Sequence, residues 1–388
     1  MVHRFIHFLT EYWKRVTAFI LAALLCALLL VAGGAVWLTG GYPQDFLRFL
    51  YTYRTLKENY FRPVDEDSLW QGASQGMLSS LNDPYSTVLS GDAYNSFMET
   101  TNGEYGGIGV VMGMDGENQI RIFNVFDGSP AEKAGLQSGD ILLSVDGTGV
   151  DTLGLSGTAQ AVRGENGTDV TIEVERDQET KSFTMQRSSV SMPTVVSRMA
   201  DEGIGYIHIF SFSRHTPAEF KKQLAALKDQ GCEKLIIDLR MNPGGMIDSV
   251  VAVADQILSG GSVVSYHTKN HGSENFTVKG VEDPMPMAVL IDKNSASAAE
   301  ILAGAVQDKK EGIIIGETSY GKGTVQAVYP DGNNAALKIS IAEYRTAAGR
   351  IIDKKGIVPD VPVEQTGRPF SFTSDNVLQK AVELLKEK

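Results

Sequence analysis

The chain has 388 residues, of which 43% are hydrophobic and 21% charged, and its net charge is −12. This composition is typical of a globular protein, and the length suits two or three domains. The acidic balance argues against nucleic acid as the main partner, because binding phosphates requires a basic surface. With only two cysteines, neither a disulfide framework nor a cysteine-based zinc site is expected.

The first predicted element is an apolar helix near the N-terminus. Residues 16–38 carry no charge, and 23 residues are enough for a helix to cross the roughly 30 Å hydrocarbon core of a membrane. Residues 1–15 have a net charge of +2, which predicts a cytoplasmic tail and an exported remainder with a charge of −14. A cleaved signal peptide is the alternative, but the apolar run is longer than such peptides usually have. We therefore favour an uncleaved signal anchor.

Residues 45–100 are predicted to form a helical region that is interrupted at Pro63. Its apolar side chains recur at helical spacing, at Phe46, Phe49, Leu50, Tyr53 and Leu56. Such a stripe normally packs against a core, and this is the interpretation we adopt. A dimer interface in this region is the alternative, which leaves a homodimer open.

The next region, 101–188, consists of short β-branched segments separated by glycines, which predicts a compact β-rich domain. Short helices are expected within it at 130–134 and 155–162.

From 189 to 366, apolar strands alternate with helices. This order predicts a mainly parallel sheet that is covered on both faces. Within it, residues 247–261 are expected to form one helix and residues 263–268 a strand. The last segment, 367–388, contains an amphipathic stretch that we expect to be a surface helix.

The histidines contribute little to any predicted chemistry. His208 falls on an alternating strand, where a packing role is expected. His267 and His271 are four residues apart in a loop without a carboxylate pattern, so we predict no metal site, and no cofactor is called for. The chain also lacks the G-x-S-x-G motif, which leaves a Ser-His-Asp enzyme weakly supported.

Residues 316–323 nearly match a nucleotide-binding loop. Gly323 stands where that loop needs Ser or Thr, and the chain continues as a predicted strand rather than a helix, so nucleotide binding is disfavoured. Lys322 is instead a candidate general base, provided that burial keeps its amine neutral. Gln326 shares a strand face with it and could orient the amine without adding charge. A solvated loop lysine is the plain alternative.

Two serines, Ser295 and Ser297, lie at a predicted strand-to-helix junction. A hydroxyl there meets the positive end of a helix dipole and free N–H groups, as a nucleophile requires. The alternative is an N-cap, with Glu300 completing a capping box from Ser297. Residues 238–245 read D-L-R-M-N-P-G-G at another strand end. Their glycine amides could hold an oxyanion, or they could form an ordinary turn.

Together these motifs resemble the carboxyl-terminal processing peptidases, or tail-specific proteases, over residues 51–363. The patterns D-L-R-x-N-P-G-G, S-A-S-A-x-E and G-K-G-T-V-Q occur in this order, after L-N-D-P-Y-S. The resemblance implies a serine endopeptidase with Ser297 as nucleophile, Lys322 as base and Gln326 as the orienting residue. It also implies oxyanion-binding amides, at Ala298, Gly244 and Gly245.

The β-rich region resembles a PDZ domain, which implies recognition of the C-terminal tails of exported protein or peptide substrates. The loop that matches the carboxylate-binding loop of such domains consists of Gly106, Gly107, Ile108, Gly109 and Val110. Successive N–H groups in such a loop bind the terminal carboxylate, while the tail adds to the sheet as a strand. Arg163 lies where such domains often face a catalytic core, and a hinge charge is an equal alternative.

The predicted fold class is therefore mixed α/β. It comprises a transmembrane helix, a helical segment, a PDZ domain and a catalytic core like that of ClpP and crotonase, which the resemblance implies. The alternative function is a catalytically silent PDZ scaffold that binds the same tails.

Overall fold

A computed structural model describes residues 2–115, 119–126, 128–270, 272–332, 335–367, 370 and 373–387. Residues used in the predictions above that lie outside these ranges include Met1, His271 and Lys388. The chain divides into two compact units, Met1–Asn82 and Asp83–Lys388.

The first unit is helical, with α1 at Val2–Leu38, α2 at Pro43–Asn59 and α3 at Glu66–Ser79. Within α1, the segment Val16–Gly34 is long and apolar enough to cross a membrane, by length and composition. A signal sequence shares these properties. This segment therefore has the properties of a signal or an anchor.

The apolar stripe of α2 is largely uncovered in this unit. The ring of Tyr53 stacks on Trp70 of α3, with 4.7 Å between the centroids, and the ring of Phe49 lies 6.0 Å from Trp70. Phe46 and Leu56 are nevertheless 49% and 43% exposed. The prediction of plain core packing is therefore wrong for this stripe within the described unit, because a single short helix covers only part of it.

The second unit begins with β1 at Thr87–Ser90 and α4 at Asp92–Asn102. A β-rich module follows, in which the order of the main sheet is β3-β4-β5-β7-β8, with β6 on β5 and a separate β2-β9 pair. Its elements are β2 Glu104–Gly107, β3 Val110–Met114, β4 Ile120–Val125, α5 Pro130–Ala134, β5 Ile141–Val145, β6 Thr148–Gly149, α6 Val150–Val162, β7 Asp169–Arg176, β8 Glu179–Gln186 and β9 Ser188–Ser191. The predicted helix at 130–134 is confirmed, and the next helix begins five residues earlier than predicted, with a kink at Gly154.

A larger αβ core follows the module. Its elements are β10 Val195–Asp201, β11 Ile204–Ile209, α7 Thr216–Asp229, β12 Lys234–Asp238, α8 Ile247–Ala254, β13 Ser259–Thr268, β14 Gly272–Gly280, β15 Met287–Ile291, α9 Ala298–Lys309, β16 Gly312–Gly316, β17 Thr324–Gly332, β18 Ala335–Thr346, β19 Val361–Pro362 and α10 Asn376–Lys386. The C-terminal segment thus ends in the expected helix, which Asp375 caps by accepting hydrogen bonds from two N–H groups.

Six strands form the central sheet, in the order β10-β11-β12-β15-β16-β19. Only the β10-β11 pair is antiparallel, so the prediction of a mainly parallel sheet is confirmed. Neighbouring residues of each strand point to opposite faces: Ile237 packs among α7, α8 and α9, whereas Ile236 packs against α10. Both faces are therefore covered, as a continuous apolar strand requires.

A second, antiparallel sheet was not predicted. It has the order β1-β18-β13-β14, with β17 on β18. Residues 263–268 belong to this sheet rather than to the parallel one. The helix expected at 247–261 ends at Ala254, because Ile257 and Leu258 are buried in a turn and the glycines after them continue as β13. Apolar periodicity alone did not distinguish these conformations.

Candidate active site

Three segments meet at one edge of the central sheet. Strands β12, β15 and β16 are adjacent and parallel, so their carboxyl ends lie side by side. The segments that leave these ends, 239–245, 292–300 and 317–323, contain every predicted catalytic and oxyanion residue except Gln326. In sheets of this type, the crevice outside the carboxyl ends is the usual place for a ligand.

The two candidate serines differ in burial and in backbone conformation. Ser295 is fully buried, and its Oγ donates to Leu239 O at 2.8 Å and accepts from the Asp292 N–H at 2.9 Å. Ser297 is only half-buried and has φ 55° and ψ −114°, a backbone conformation that few residues other than glycine adopt. Ser295 is thus occupied as a structural bridge, whereas Ser297 stands at a strained turn at the N-terminus of α9.

The carboxylate of Glu300 joins the segment of Ser297 to that of Lys322. Its Oε2 accepts from the N–H groups of Ser297 at 2.8 Å and Lys322 at 2.9 Å. Its Oε1 accepts from the Gly321 N–H and the Ser319 hydroxyl, both at 2.6 Å. The backbone N–H groups of Ser297 and Lys322, which are 25 positions apart in the chain, therefore donate hydrogen bonds to the same oxygen atom.

Glu300 is a site residue whose role sequence reasoning missed. The sequence predicts for it only a place in a capping box, and the hydrogen bond that it accepts from the Ser297 N–H forms that half of the box. The carboxylate is fully buried, and burial raises its pKa while the four hydrogen bonds oppose the rise. Because all four partners donate, they require both oxygens to act as acceptors. Its spacing in S-A-S-A-x-E was the available signal.

The environment of the Lys322 side chain lowers the pKa of its amine. Burial lowers its pKa, and the nearby charge of Lys338 lowers it further, whereas Glu300 and Asp83 act in the opposite direction. Its Nζ lies 5.1 Å from the ring centroid of Tyr85. Within the described part of the chain, Nζ has no hydrogen-bond or ion-pair partner. The pKa of Lys322 is thus shifted in the direction that a general base requires.

Tyr85 belongs to the L-N-D-P-Y-S motif, to which no role was given from the sequence. Burial raises the pKa of its phenol to about 12, so the hydroxyl remains protonated at neutral pH. Asp83 fixes the turn by accepting from the Tyr85 N–H at 3.1 Å and from the Ser86 hydroxyl. The motif therefore covers the amine of Lys322 with an aromatic ring.

Gln326 lies on β17, and its amide nitrogen bonds to partners other than Lys322. Its Nε2 donates to Thr324 Oγ1 at 2.8 Å and to Thr324 O at 3.0 Å, and Ser340 Oγ is 3.3 Å away. Among the described residues, no hydrogen bond joins Gln326 to Lys322. An orienting role for Gln326 therefore stays a prediction that requires its side chain to turn.

The predicted oxyanion donors are not equivalent. The N–H of Gly244 already donates to Asn242 Oδ1 at 2.8 Å, so this amide is not free in the described conformation. The N–H groups of Gly245 and Ala298 have no partner among the described residues. A Cβ at position 244 would lie 2.7 Å from Ser297 Cβ and 2.9 Å from Ala298 N, which places the turn directly against the serine.

An ion-pair network that the sequence did not reveal supports this turn. Arg240 is buried and binds Asp238 at 2.5 Å and Asp375, the cap of α10, at 2.7 Å. Asn242 donates from Nδ2 to Ile209 O at 2.7 Å. The D-L-R-x-N-P-G-G motif is thus held at several points, which fixes the backbone beside Ser297.

All five residues of the predicted carboxylate-binding loop line one cavity of about 220 Å³. Gly109 has φ 82°, and a Cβ there would lie 2.4 Å from Ser129 Cβ, so glycine is required. The N–H groups of Ile108 and Gly109 have no backbone partner within the described part of the chain, and consecutive free amides of this kind can bind an anion. Arg163 also lines the cavity, with its guanidinium 5.1 Å from the ring centroid of Tyr105.

No group of three or more His, Cys, Asp or Glu side chains in the described residues is arranged to hold a metal ion. His267 lies on β13 rather than in the predicted loop, and its Nδ1 contacts Ser273 Oγ at 3.0 Å. His208 is buried on β11, as expected. His271 lies outside the described residues.

Three protein-family models match parts of the chain. A model of peptidase family S41 matches residues 203–363, a PDZ-domain model matches 124–176, and a model of the N-terminal domain of the activating protease CtpB matches 39–93.

Two curated relatives are similar over most of the chain. The carboxy-terminal processing protease CtpB of Bacillus subtilis (strain 168) is 34% identical over 320 residues, which are 81% of this chain and 66% of the relative. The chain thus spans just under two thirds of that protein. The carboxyl-terminal-processing protease of Synechocystis sp. (strain ATCC 27184 / PCC 6803 / Kazusa) is 34% identical over 342 residues, which are 85% of this chain and 80% of the relative.

A solved structure, the photosystem II D1 C-terminal processing protease, has a TM-score of 0.51 and 26% identity. The match covers 88% of this chain and 92% of that protein.

Proposed function

Because the chain belongs to the carboxy-terminal processing proteases of peptidase family S41, we propose that it is a serine endopeptidase in which Ser297 is the nucleophile and Lys322 the general base. The observation that carries this proposal is the shared oxygen of Glu300, which accepts hydrogen bonds from the backbones of both residues. The strained backbone of Ser297 and the lowered pKa of Lys322 support the same roles.

The reaction follows from these roles. The hydroxyl of Ser297 attacks the scissile carbonyl as the neutral amine of Lys322 takes its proton. The amides of Ala298 and Gly245 are the proposed donors to the oxyanion, since Gly244 is engaged with Asn242. The protonated amine then donates to the leaving nitrogen as the C–N bond breaks. In the second half, neutral Lys322 takes a proton from water, the water oxygen attacks the acyl carbonyl, and Lys322 returns the proton to Ser297 Oγ as the acid leaves.

The proposed substrates are exported proteins or peptides with a free C-terminal tail. The cavity at residues 106–110 supports this choice, because it combines free amides, apolar walls and the positive charge of Arg163. The tail is expected to add to β3, which lies at an edge of its sheet.

For location, we propose that 16–38 is an uncleaved signal anchor and that the catalytic core lies on the extracytoplasmic side of the membrane. The net charge of +2 before this segment supports that orientation. Sequencing the N-terminus of the protein isolated from membranes tests the anchor, since an anchor leaves the chain intact whereas a cleaved signal removes residues 1 to about 34. The exposed apolar stripe of α2 supports a homodimer through the first unit.

The test of the activity uses the full chain purified in detergent. Cleavage of casein and of a reporter with an apolar C-terminal tail is measured for the wild type, Ser297→Ala and Lys322→Ala. We expect both substitutions to lower kcat/KM by at least about 10³-fold, because either one removes the nucleophile or its base. Thermal unfolding of each variant checks that the fold is kept.

Two results would contradict the proposal. Cleavage by both variants at the wild-type rate would exclude the dyad. Tail binding without any cleavage by the wild type would instead favour the silent PDZ scaffold.

A further inference from the structure

A second cavity lies beside the cavity of about 220 Å³ at the loop 106–110, which we call the tail groove. It lies between the β-rich module and the αβ core of the second unit. Its volume is about 460 Å³, within the range of about 300–1,000 Å³ that ligand pockets have. The module contributes Val111 and Phe126, and the core contributes Val196 and Phe210. Among its described lining residues, none carries a charged side chain.

Large apolar side chains around this cavity are exposed to solvent. Val111 is 39% exposed, Met192 and Val196 are each 42% exposed, and Phe210 is 45% exposed. Single apolar residues are common on surfaces, but a cluster that lines a concave site is a mark of a binding surface. The apolar side chains that line this cavity are therefore exposed, and a ligand can cover them.

The cavity is continuous with the tail groove. Four residues line both of them: Tyr105, Val111, Phe126 and Met192. Val110 and Met112 pack on the core of the module, so that Val111 between them faces outward, toward the second cavity. The two cavities thus adjoin opposite faces of β3. A strand that pairs with β3 would place alternate side chains in one cavity and in the other.

A tail that adds to β3 as an antiparallel strand has its carboxylate at the loop 106–109, where β3 begins. Its last side chain then shares the inner face with Val110, and the side chain before it shares the outer face with Val111. We infer that the 460 Å³ cavity binds the penultimate side chain of the substrate tail and selects an apolar one. This inference rests on the proposed function, since it specifies which tails that function recognises.

The selection should be strongest against charged residues. A buried carboxylate or ammonium group is costly unless it is paired, and the described lining offers no partner charge. Tails with Val, Ile or Leu at the penultimate position should therefore bind, and tails with Asp or Lys there should be rejected. An apolar last residue alone would not be sufficient.

The test measures binding to the full chain carrying Ser297→Ala, so that no peptide is cut. Three fluorescent decapeptides are identical except for Val, Asp or Lys at the penultimate position, and Kd is measured by polarisation in detergent. We expect the Val peptide to bind at least about tenfold more tightly than the other two.

A charge placed in the cavity should reverse the preference. Val111→Glu is expected to weaken binding of the Val peptide and to strengthen binding of the Lys peptide, because the new carboxylate pairs with the ammonium group. Val196→Glu makes the same change from the core side and serves as a second variant if Val111→Glu unfolds. The matched control is Val358→Glu, at a valine that is 60% exposed and does not line the cavity.

Equal affinity for the three peptides, or variants at 111 and 196 that behave as Val358→Glu does, would overturn the inference and leave the proposed protease intact. A penultimate preference that reverses with the added charge supports it. Because binding is measured without cleavage, a wild type that cuts no substrate would overturn the proposed function and leave the preference standing.

Discussion

The turn at Gly244–Gly245 places glycine amides beside Ser297, and the loop at 106–110 places them beside a cavity, but the two segments are held in different ways. In the turn, the Gly244 N–H donates to the side-chain oxygen of Asn242 and Gly244 O accepts from the Phe212 N–H, and the turn lies against Ser297 Cβ. The loop is held by backbone hydrogen bonds, from the Phe126 N–H to Gly109 O and from the Ala131 N–H to Ile108 O, and by the packing of Gly109 on Ser129, and it lies next to an open groove.

This difference corresponds to the work that each region is proposed to do. Stabilising an oxyanion requires donors that are already in place, because reorganising them during the reaction would raise the barrier. Binding a tail requires space for an incoming strand, so one side of the loop must stay open. The catalytic turn should therefore lose activity when its supporting side chains change, whereas the tail loop should lose affinity when its space is filled.

Among substitutions outside the Ser297–Lys322 pair, the largest effect is expected for Glu300→Gln. The amide group of Gln has an NH₂ group in place of one carboxylate oxygen. This NH₂ group cannot accept hydrogen bonds from the N–H groups of Ser297 and Lys322, so the two segments should separate. We expect kcat to fall by about 10²-fold and the free energy of unfolding by about 3 kcal/mol, since each hydrogen bond to a charged group contributes about 1.5–3 kcal/mol. Cleavage assays and denaturant unfolding measure the two effects.

Ser295→Ala is the matched control for Glu300→Gln. It also removes buried hydrogen bonds next to the site, to Leu239 O and from the Asp292 N–H, and should cost about 1–3 kcal/mol of stability. The folded fraction should retain most of the wild-type kcat. Equal losses of kcat in the two variants would show that general destabilisation, and not the Glu300 bridge, sets the activity.

The next effect concerns the tail loop. Gly109→Ala puts a Cβ 2.4 Å from Ser129 Cβ at a residue with φ 82°, so the loop must shift. We expect KM for a tailed substrate to rise about tenfold with little change in kcat, because the chemistry lies elsewhere.

Gly147→Ala is the control for this variant, since position 147 also has a positive φ of 77° but open space around its Cβ. It should lower stability alone. A drop in kcat for Gly109→Ala, with KM unchanged, would contradict the division between binding and catalysis.

The smallest effect is expected for Lys338→Gln. The charge of Lys338 helps to lower the pKa of Lys322, so its removal should raise that pKa. Activity depends on the neutral amine, which is lost as the pH falls through the pKa of Lys322. The rising limb of kcat/KM against pH should therefore move to higher pH, with an unchanged plateau.

Lys222→Gln, an exposed lysine on α7, is the control and should leave the profile unchanged. A shift to lower pH in Lys338→Gln would mean that a group other than Lys322 controls the rising limb.

Much of the fold was predictable because strong local patterns agree with the tertiary structure. The parallel strands are continuous apolar runs, and the predicted helices of the core follow them at regular spacing. The antiparallel sheet was missed because β18 mixes polar and apolar residues, and its partners β1 and β13 are distant in sequence. The apolar stripe of α2 was misread because periodicity reports an apolar face and not what covers it.

The site was predictable where a motif carries the chemistry, and not where long-range contacts do. Ser297 and Lys322 stand in recognisable segments, whereas the bridging role of Glu300 depends on two segments meeting in space. The engagement of Gly244 with Asn242 is likewise visible only in three dimensions, although the two residues are neighbours. The limits of the predicted domains stay predictions.

The central claim is that Ser297 is the nucleophile and that Lys322 activates it. The most direct measurement is labelling of the full chain with an alkyl fluorophosphonate, followed by mass spectrometry of the digested protein. We expect one adduct, on Ser297, that is absent in Ser297→Ala and forms at least about 10²-fold more slowly in Lys322→Ala. An adduct on Ser295, or labelling of Ser297 at an unchanged rate in Lys322→Ala, would contradict this claim.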